Sequence, residues 1–125
     1  MYKMITQSKQ IRPFVGAKDF NESRAFYQSI GFEEIIIDKK MSLFKINDHL
    51  GFYLQDAYVR DWIDNTMIFV EVEDVASYWR ELSALNLTAT YKTARLVPIR
   101  VYDWGRECFL HDPSGVLWHF GEFFK

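Results

Sequence analysis

Residues 67–85 read MIFVEVEDVASYWRELSAL. Met67–Glu73 alternates with a period of two. Ile68, Val70 and Val72 form one aliphatic set, and Met67, Phe69, Glu71 and Glu73 the other. Such alternation marks a strand with one buried face. Asp74 follows as a helix N-cap, and Val75–Leu85 continues as a helix. Asn86 then stands where a helix ends in a left-handed residue. Carboxylates without partners are costly beneath a helix. Ile68, Val70 and Val72 therefore turn under it, and Met67, Phe69 and Glu71 face the open side.

The same order of elements occurs 55 residues earlier. Ile11–Ala17 reads as a strand and Asp19 or Asn21 as a cap. Phe20, Ala25, Phe26, Ser29 and Ile30 recur at helical spacing until Gly31. Aligned without gaps, Phe14 falls on Phe69, Val15 on Val70, Asp19 on Asp74 and Gly31 on Asn86. The offset sends Arg12, Phe14 and Gly16 to the open face of the first half. Phe32–Asp38, Met41–Ile46 and Leu50–Gln55 read as the next strands, and Gln55–Thr66 as a surface connection. In the second half Thr88–Thr93, Leu96–Asp103, Glu107–His111 and Val116–Phe123 read as strands, with Asp112-Pro113-Ser114-Gly115 having the composition of a type I turn. The repeat predicts an α+β chain of two βαβββ modules, residues 11–56 and 66–125, within a single domain spanning 1–125.

Composition narrows the function. A net charge of −2 argues against a generic nucleic-acid binder, which would show a basic stripe. A hydrophobic share of 49% excludes disorder. The 11 Phe, 7 Tyr and 4 Trp exceed ordinary usage; most must fill a core, and the excess can line a ligand pocket. Cys108 is the one cysteine, so no intramolecular disulfide forms, which suits a reducing cytoplasm. Residues 1–10 hold no apolar run of signal-peptide length, and no stretch approaches the ~20 residues of a membrane span. The expectation is a cytoplasmic protein without membrane or nucleic-acid partners.

The strand–Asp–helix unit ending in Phe26-Tyr27 and Gly31-Phe32, followed late in the chain by Asp112-Pro113-Ser114-Gly115 and its strand, resembles the vicinal oxygen chelate superfamily of glyoxalases, extradiol dioxygenases and bleomycin-resistance proteins. The likeness spans almost the whole chain and is nearest to the bleomycin-resistance proteins. Arg12-Pro13-Phe14-Val15, Asp64-Asn65-Thr66, Trp104-Gly105-Arg106-Glu107 and His119-Phe120 carry it. The resemblance implies two modules whose sheets curve into a cup. It also implies a homodimer that exchanges an N-terminal arm and binds, without altering it, a ligand in interface crevices. Pro13 fits a hinge for such an arm; it fits an edge-strand proline equally well.

Enzymes of the superfamily place His and Glu metal ligands on the cup-facing strands. Carried over one by one, those positions fall on Arg12, Phe52, Met67 and His119. Only His119 binds a metal well, and a catalytic divalent site needs about three protein ligands. No metal or other cofactor is therefore expected. The alternative, a metal-dependent glyoxalase-type lyase or dioxygenase, needs a ligand set these positions do not supply. The expected ligand-binding residues are Arg12, Phe14, Phe52, Leu54, Met67, Phe69, Glu71, Trp104 and His119. Their rings suit a planar aromatic small molecule, bleomycin-like or other, and Glu71 suits a cationic group on it. Two plainer readings stand beside this one: core filling for the rings, and an internal Arg12–Glu71 ion pair.

Overall fold

The computed structural model describes residues 4–125. The first half runs β1 (Phe14–Gly16), α1 (Phe20–Ile30), β2 (Glu33–Asp38), β3 (Met41–Lys45) and β4 (Gly51–Gln55). A short helix, α2 (Arg60–Asp64), lies within the expected surface connection. The second half runs β5 (Met67–Glu71), α3 (Val75–Ala84), α4 (Leu87–Thr90), β6 (Arg95–Val101), β7 (Gly105–His111) and β8 (Leu117–Phe123). Each half forms a four-stranded mixed sheet, ordered β1-β4-β3-β2 and β5-β8-β7-β6. In each, the first strand lies parallel to the last and the rest are antiparallel. The α+β class and the strand–helix–three-strand order both hold.

Both helices begin where the sequence placed their caps. The Asp19 carboxylate accepts from the Glu22 N–H, and that of Asp74 from the N–H groups of Ala76 and Ser77. Gly31, at φ 105°, closes α1 in the left-handed conformation. Asn86, at φ 52°, also adopts it, but there the chain turns straight into α4.

Two expected strands are corrected. Thr88–Thr93 is not a strand. Leu87 and Tyr91 are buried at a spacing of four, and the Tyr91 N–H donates to the Leu87 carbonyl at 2.8 Å. A helical turn buries both, while Thr88 and Thr90, whose β-branching suggested a strand, point to solvent. Ile11–Ala17 shrinks to Phe14–Gly16. Pro13 has no N–H for a ladder, although its carbonyl still accepts from the Tyr53 N–H at 2.9 Å.

The core is largely aromatic. Tyr27 of α1 packs its ring against Phe32, Phe44 and Phe52 of the first half and Trp118 of the second. Phe26 meets Tyr91 edge-on, and Tyr78 of α3 stacks on Phe120. These contacts absorb much of the aromatic excess. They also bury the helix-covered faces, leaving the opposite face of each sheet open.

Candidate functional site

The open face of the second sheet is built from alternate residues of three strands. Register sets Phe69 of β5 beside His119 of β8, and His119 beside Phe109 of β7. One step along, Glu71, Gly121 and Glu107 are aligned in the same way. The Phe69 and His119 rings are 6.3 Å apart, and Phe109 meets His119 edge-on at 5.1 Å. Gly121 is glycine because Phe69 lies over it: a Cβ there would fall inside the Phe69 ring's contact distance.

Trp104 extends this surface from the β6–β7 hairpin. The Tyr102 N–H donates to the Gly105 carbonyl at 2.7 Å, and the Phe124 N–H to the Trp104 carbonyl at 3.0 Å. Gly105 packs against the Glu122 backbone, which leaves no room for a side chain. In this closed turn Trp104 stacks on Tyr102 with centroids 5.4 Å apart and planes 7° apart. Its other neighbours are Phe123 at 5.2 Å and Phe69 at 6.2 Å. The cluster is well placed but not closed, since Trp104 remains 38% and Phe69 46% exposed.

The polar groups within the cluster are few. Glu107 is buried, and its Oε2 lies 3.4 Å from His119 Nδ1. The Arg100 guanidinium sits 5.7 Å from the centre of the Phe109 ring. His111, farther along the same face, is held below the ordinary histidine pKa. Burial is the main cause, and Arg95 and His119 add to it.

The first sheet presents a smaller group. Phe14 of β1 and Tyr53 of β4 are register partners with stacked rings 4.9 Å apart. Arg12 Nη1 donates to the Tyr53 hydroxyl at 3.1 Å. Between the two sheets a cleft of about 840 Å³ is lined by Pro13, Ile46, Phe52, Ile68, Phe69 and Trp118, among others.

The structure thus gathers Phe69, Trp104 and His119 on one face, flanked by Met67 and Glu71, and Arg12 and Phe14 on the other. Phe52 and Leu54 are corrected. At 1% and 0% exposure they belong to the core on the α1 side of the sheet, where Phe52 also borders the cleft, and Tyr53 takes the open-face position. The sequence Phe52-Tyr53-Leu54 offers an aromatic on either parity, and only pairing with Phe14 decides between them. The internal Arg12–Glu71 ion pair is corrected too, since no such pair forms among the described residues. Tyr102, Phe109, Phe123 and Glu107 are additions. Phe109 and Glu107 could be found only through the β7–β8 register.

The metal-ligand positions of the superfamily offer a guanidinium, a thioether and one imidazole, and Tyr53 now replaces Phe52 with a phenol. That set does not fit a divalent ion, which wants about three carboxylate or imidazole donors. Among the described residues no three His, Cys, Asp or Glu side chains come together.

No protein-family model matches the sequence, and no curated protein matches it either. Solved structures do. A bleomycin-binding protein from Streptomyces verticillus, complexed with copper(II)-bleomycin, is 23% identical. The match covers 96% of this chain and 97% of that one, at a TM-score of 0.77. A bleomycin resistance determinant encoded on the transposon Tn5 is 21% identical, with 93% and 98% covered and a TM-score of 0.74. A lactoylglutathione lyase from Agrobacterium tumefaciens is 15% identical, with 92% and 94% covered and a TM-score of 0.67. A binder and a lyase on one scaffold leave function to be argued from the site. What the pairing of sheets, helices and turns establishes is that this chain has the glyoxalase/bleomycin-resistance fold.

Proposed function

We propose that the chain is a non-catalytic binding protein that sequesters a planar aromatic small molecule against its open faces. One observation carries this reading. Trp104 sits in a turn closed by the Tyr102–Gly105 hydrogen bond, its own carbonyl accepts from Phe124, and yet part of its ring is uncovered, beside Tyr102, Phe69 and Phe123. A core tryptophan would be enclosed. A pinned and partly open one is a stacking platform whose ordering cost is met before binding. Each ring–ligand contact is worth roughly 0.5–1.5 kcal/mol beyond the area it buries.

A second copy completes the site in this proposal. Ile11, Phe14, Met67 and Phe69 all stand exposed on or beside the open faces, and an apolar surface of this kind marks an interaction site. A homodimer sets the Arg12–Phe14–Tyr53 face of one chain against the Trp104 face of the other and encloses a ligand between them. Bleomycin, held by two of the structural neighbours, is the first molecule to test. The single thiol suits the reducing cytoplasm, where we place the binder. The metal-enzyme alternative would need a donor set, and among the described residues no three His, Cys, Asp or Glu side chains come together to supply one.

The test is a tryptophan-fluorescence titration of the full chain with metal-free bleomycin and with a neutral planar compound such as 2-naphthamide, repeated on Trp104→Phe. Saturable change at micromolar ligand, lost in the variant, supports the reading. An unchanged Trp104 signal with both compounds overturns it. Stoichiometric nickel, zinc, iron or manganese in the purified protein would favour the enzyme instead.

A further inference from the structure

We propose that the ligand is an aromatic acid, and that Arg12 and Tyr53 form the subsite for its carboxylate. The inference rests on the binding reading above and adds the charge of the molecule bound. Arg12 stands on the open face of the first sheet, and among the described residues no carboxylate lies within ion-pair distance of it. Its Nη1 is used by the Tyr53 hydroxyl, which accepts at 3.1 Å. Its Nε is buried and has no hydrogen-bond partner, the one such side-chain nitrogen or oxygen among the described residues. A buried donor left in that state is unfavourable.

Tyr53 adds to the same polarity. Its oxygen lone pair is engaged by Arg12, which leaves the hydroxyl hydrogen free to donate outward. Phe14, stacked on the Tyr53 ring, limits where that hydroxyl can move. The subsite therefore presents N–H and O–H donors and a full positive charge, with no carboxylate to compete. A carboxylate meets both needs, since its two oxygens can accept from the free side of the guanidinium and from the phenol together. A cationic group would be repelled. The acids on the other face do not offset this within the chain: Glu107 is already beside His119, and among the described residues Glu71 forms no ion pair with Arg12.

Calorimetric titration of the full chain with 2-naphthoate, 2-naphthamide and 2-naphthylmethylammonium tests it. These probes share one ring system and differ in charge. The acid is expected to bind about tenfold or more tighter than the amide, as a charge-assisted hydrogen bond implies. That ratio is expected to fall toward one in Arg12→Gln and to an intermediate value in Tyr53→Phe. Equal binding of acid and amide, or a ratio untouched by Arg12→Gln, overturns the aromatic-acid assignment while leaving the stacking site intact. Tightest binding of the ammonium probe overturns it as well. Binding of none of the three defeats both readings. If the Arg12 guanidinium is instead claimed by Glu71 of a second copy, Arg12→Gln weakens the dimer and leaves the acid-to-amide ratio near one in the parent chain, which also overturns the assignment.

Discussion

The Tyr27 hydroxyl donates to Asp112 Oδ2 at 2.5 Å, and both residues are fully buried. The contact joins α1 of the first half to the β7–β8 turn of the second. Trp118 Nε1 donates to the same Tyr27 oxygen at 3.0 Å. The other Asp112 oxygen accepts from the N–H groups of Ser114, Gly115 and Val116, each at 2.9 Å. One carboxylate thus shapes its own turn and fastens it to the opposite module. Burial pushes the Asp112 pKa up, against the pull of these hydrogen bonds.

Removing the tyrosine hydroxyl leaves Asp112 Oδ2 and Trp118 Nε1, both buried, without this partner. Tyr27→Phe is expected to cost about 1–3 kcal/mol in urea unfolding. Asp112→Ala should cost more, because three backbone N–H groups lose their acceptor as well. A Tyr27→Phe loss below about 0.5 kcal/mol would mean that the link is not structural.

The raised Asp112 pKa also fixes the sign of a pH effect. The folded chain holds this proton more tightly than the unfolded chain, whose value is near 3.8. Its contribution to stability is therefore greatest below that value and declines as pH rises through the folded-state pKa. Unfolding curves of Asp112→Asn against the parent, taken from pH 3.5 upward, should lack that decline. Parallel pH profiles for the two would contradict it.

Cys108 is buried on the helix-covered face, and burial raises its thiol pKa from 9.0 to about 11. The thiolate is the reactive form. The folded protein should resist alkylation by iodoacetamide at pH 8 and react promptly once unfolded in urea. Fast modification of the native chain would show Cys108 to be accessible and ionised. The stability linked to this proton is present below pH 9 and lost as pH climbs toward 11.

Much of this architecture is legible in single residues. Asp19 and Asp74 cap helices where they stand, Gly31 closes one, and the partition of Ile68 and Val70 against Met67 and Phe69 follows from alternation alone. Legibility fails where two faces carry the same chemistry. Phe52 and Tyr53 are both aromatic, so hydrophobicity cannot tell the covered face from the open one. It fails again at residues 88–93, where threonines favour a strand and the buried pair Leu87 and Tyr91 imposes a helical turn. Glu107 beside His119 depends on strand register, a property of two segments together.

Gly121 offers a test of the aromatic platform that leaves every polar group in place. An alanine Cβ would collide with the Phe69 ring, so Gly121→Ala must turn that ring away from Trp104 and His119. Overpacking of this kind costs roughly 1–3 kcal/mol. Affinity for the 2-naphthamide probe is expected to fall several-fold, and the pairing of Gly121→Ala with Phe69→Ala should be non-additive, since the second change removes the clash. Independent, additive effects would show that Phe69 does not lie over Gly121 in solution.

The segment before β1 supplies the last test. Ile5 is 88% and Ile11 95% exposed, and the hydrogen bond from Gln10 Nε2 to the Asp48 carbonyl is long at 3.5 Å. Apolar side chains held in water gain by covering apolar surface elsewhere, at about 25 cal/mol per Å². The open faces of a second copy offer such surface. Sedimentation equilibrium at micromolar concentration is expected to give a dimer. A chain lacking residues 1–11 should sediment as a monomer and lose affinity for 2-naphthamide, while its circular dichroism stays native, because β1 begins only at Phe14. A truncated chain that remains dimeric would place the contact on the sheet faces alone. A full-length monomer that still binds the amide would remove the second copy from the site.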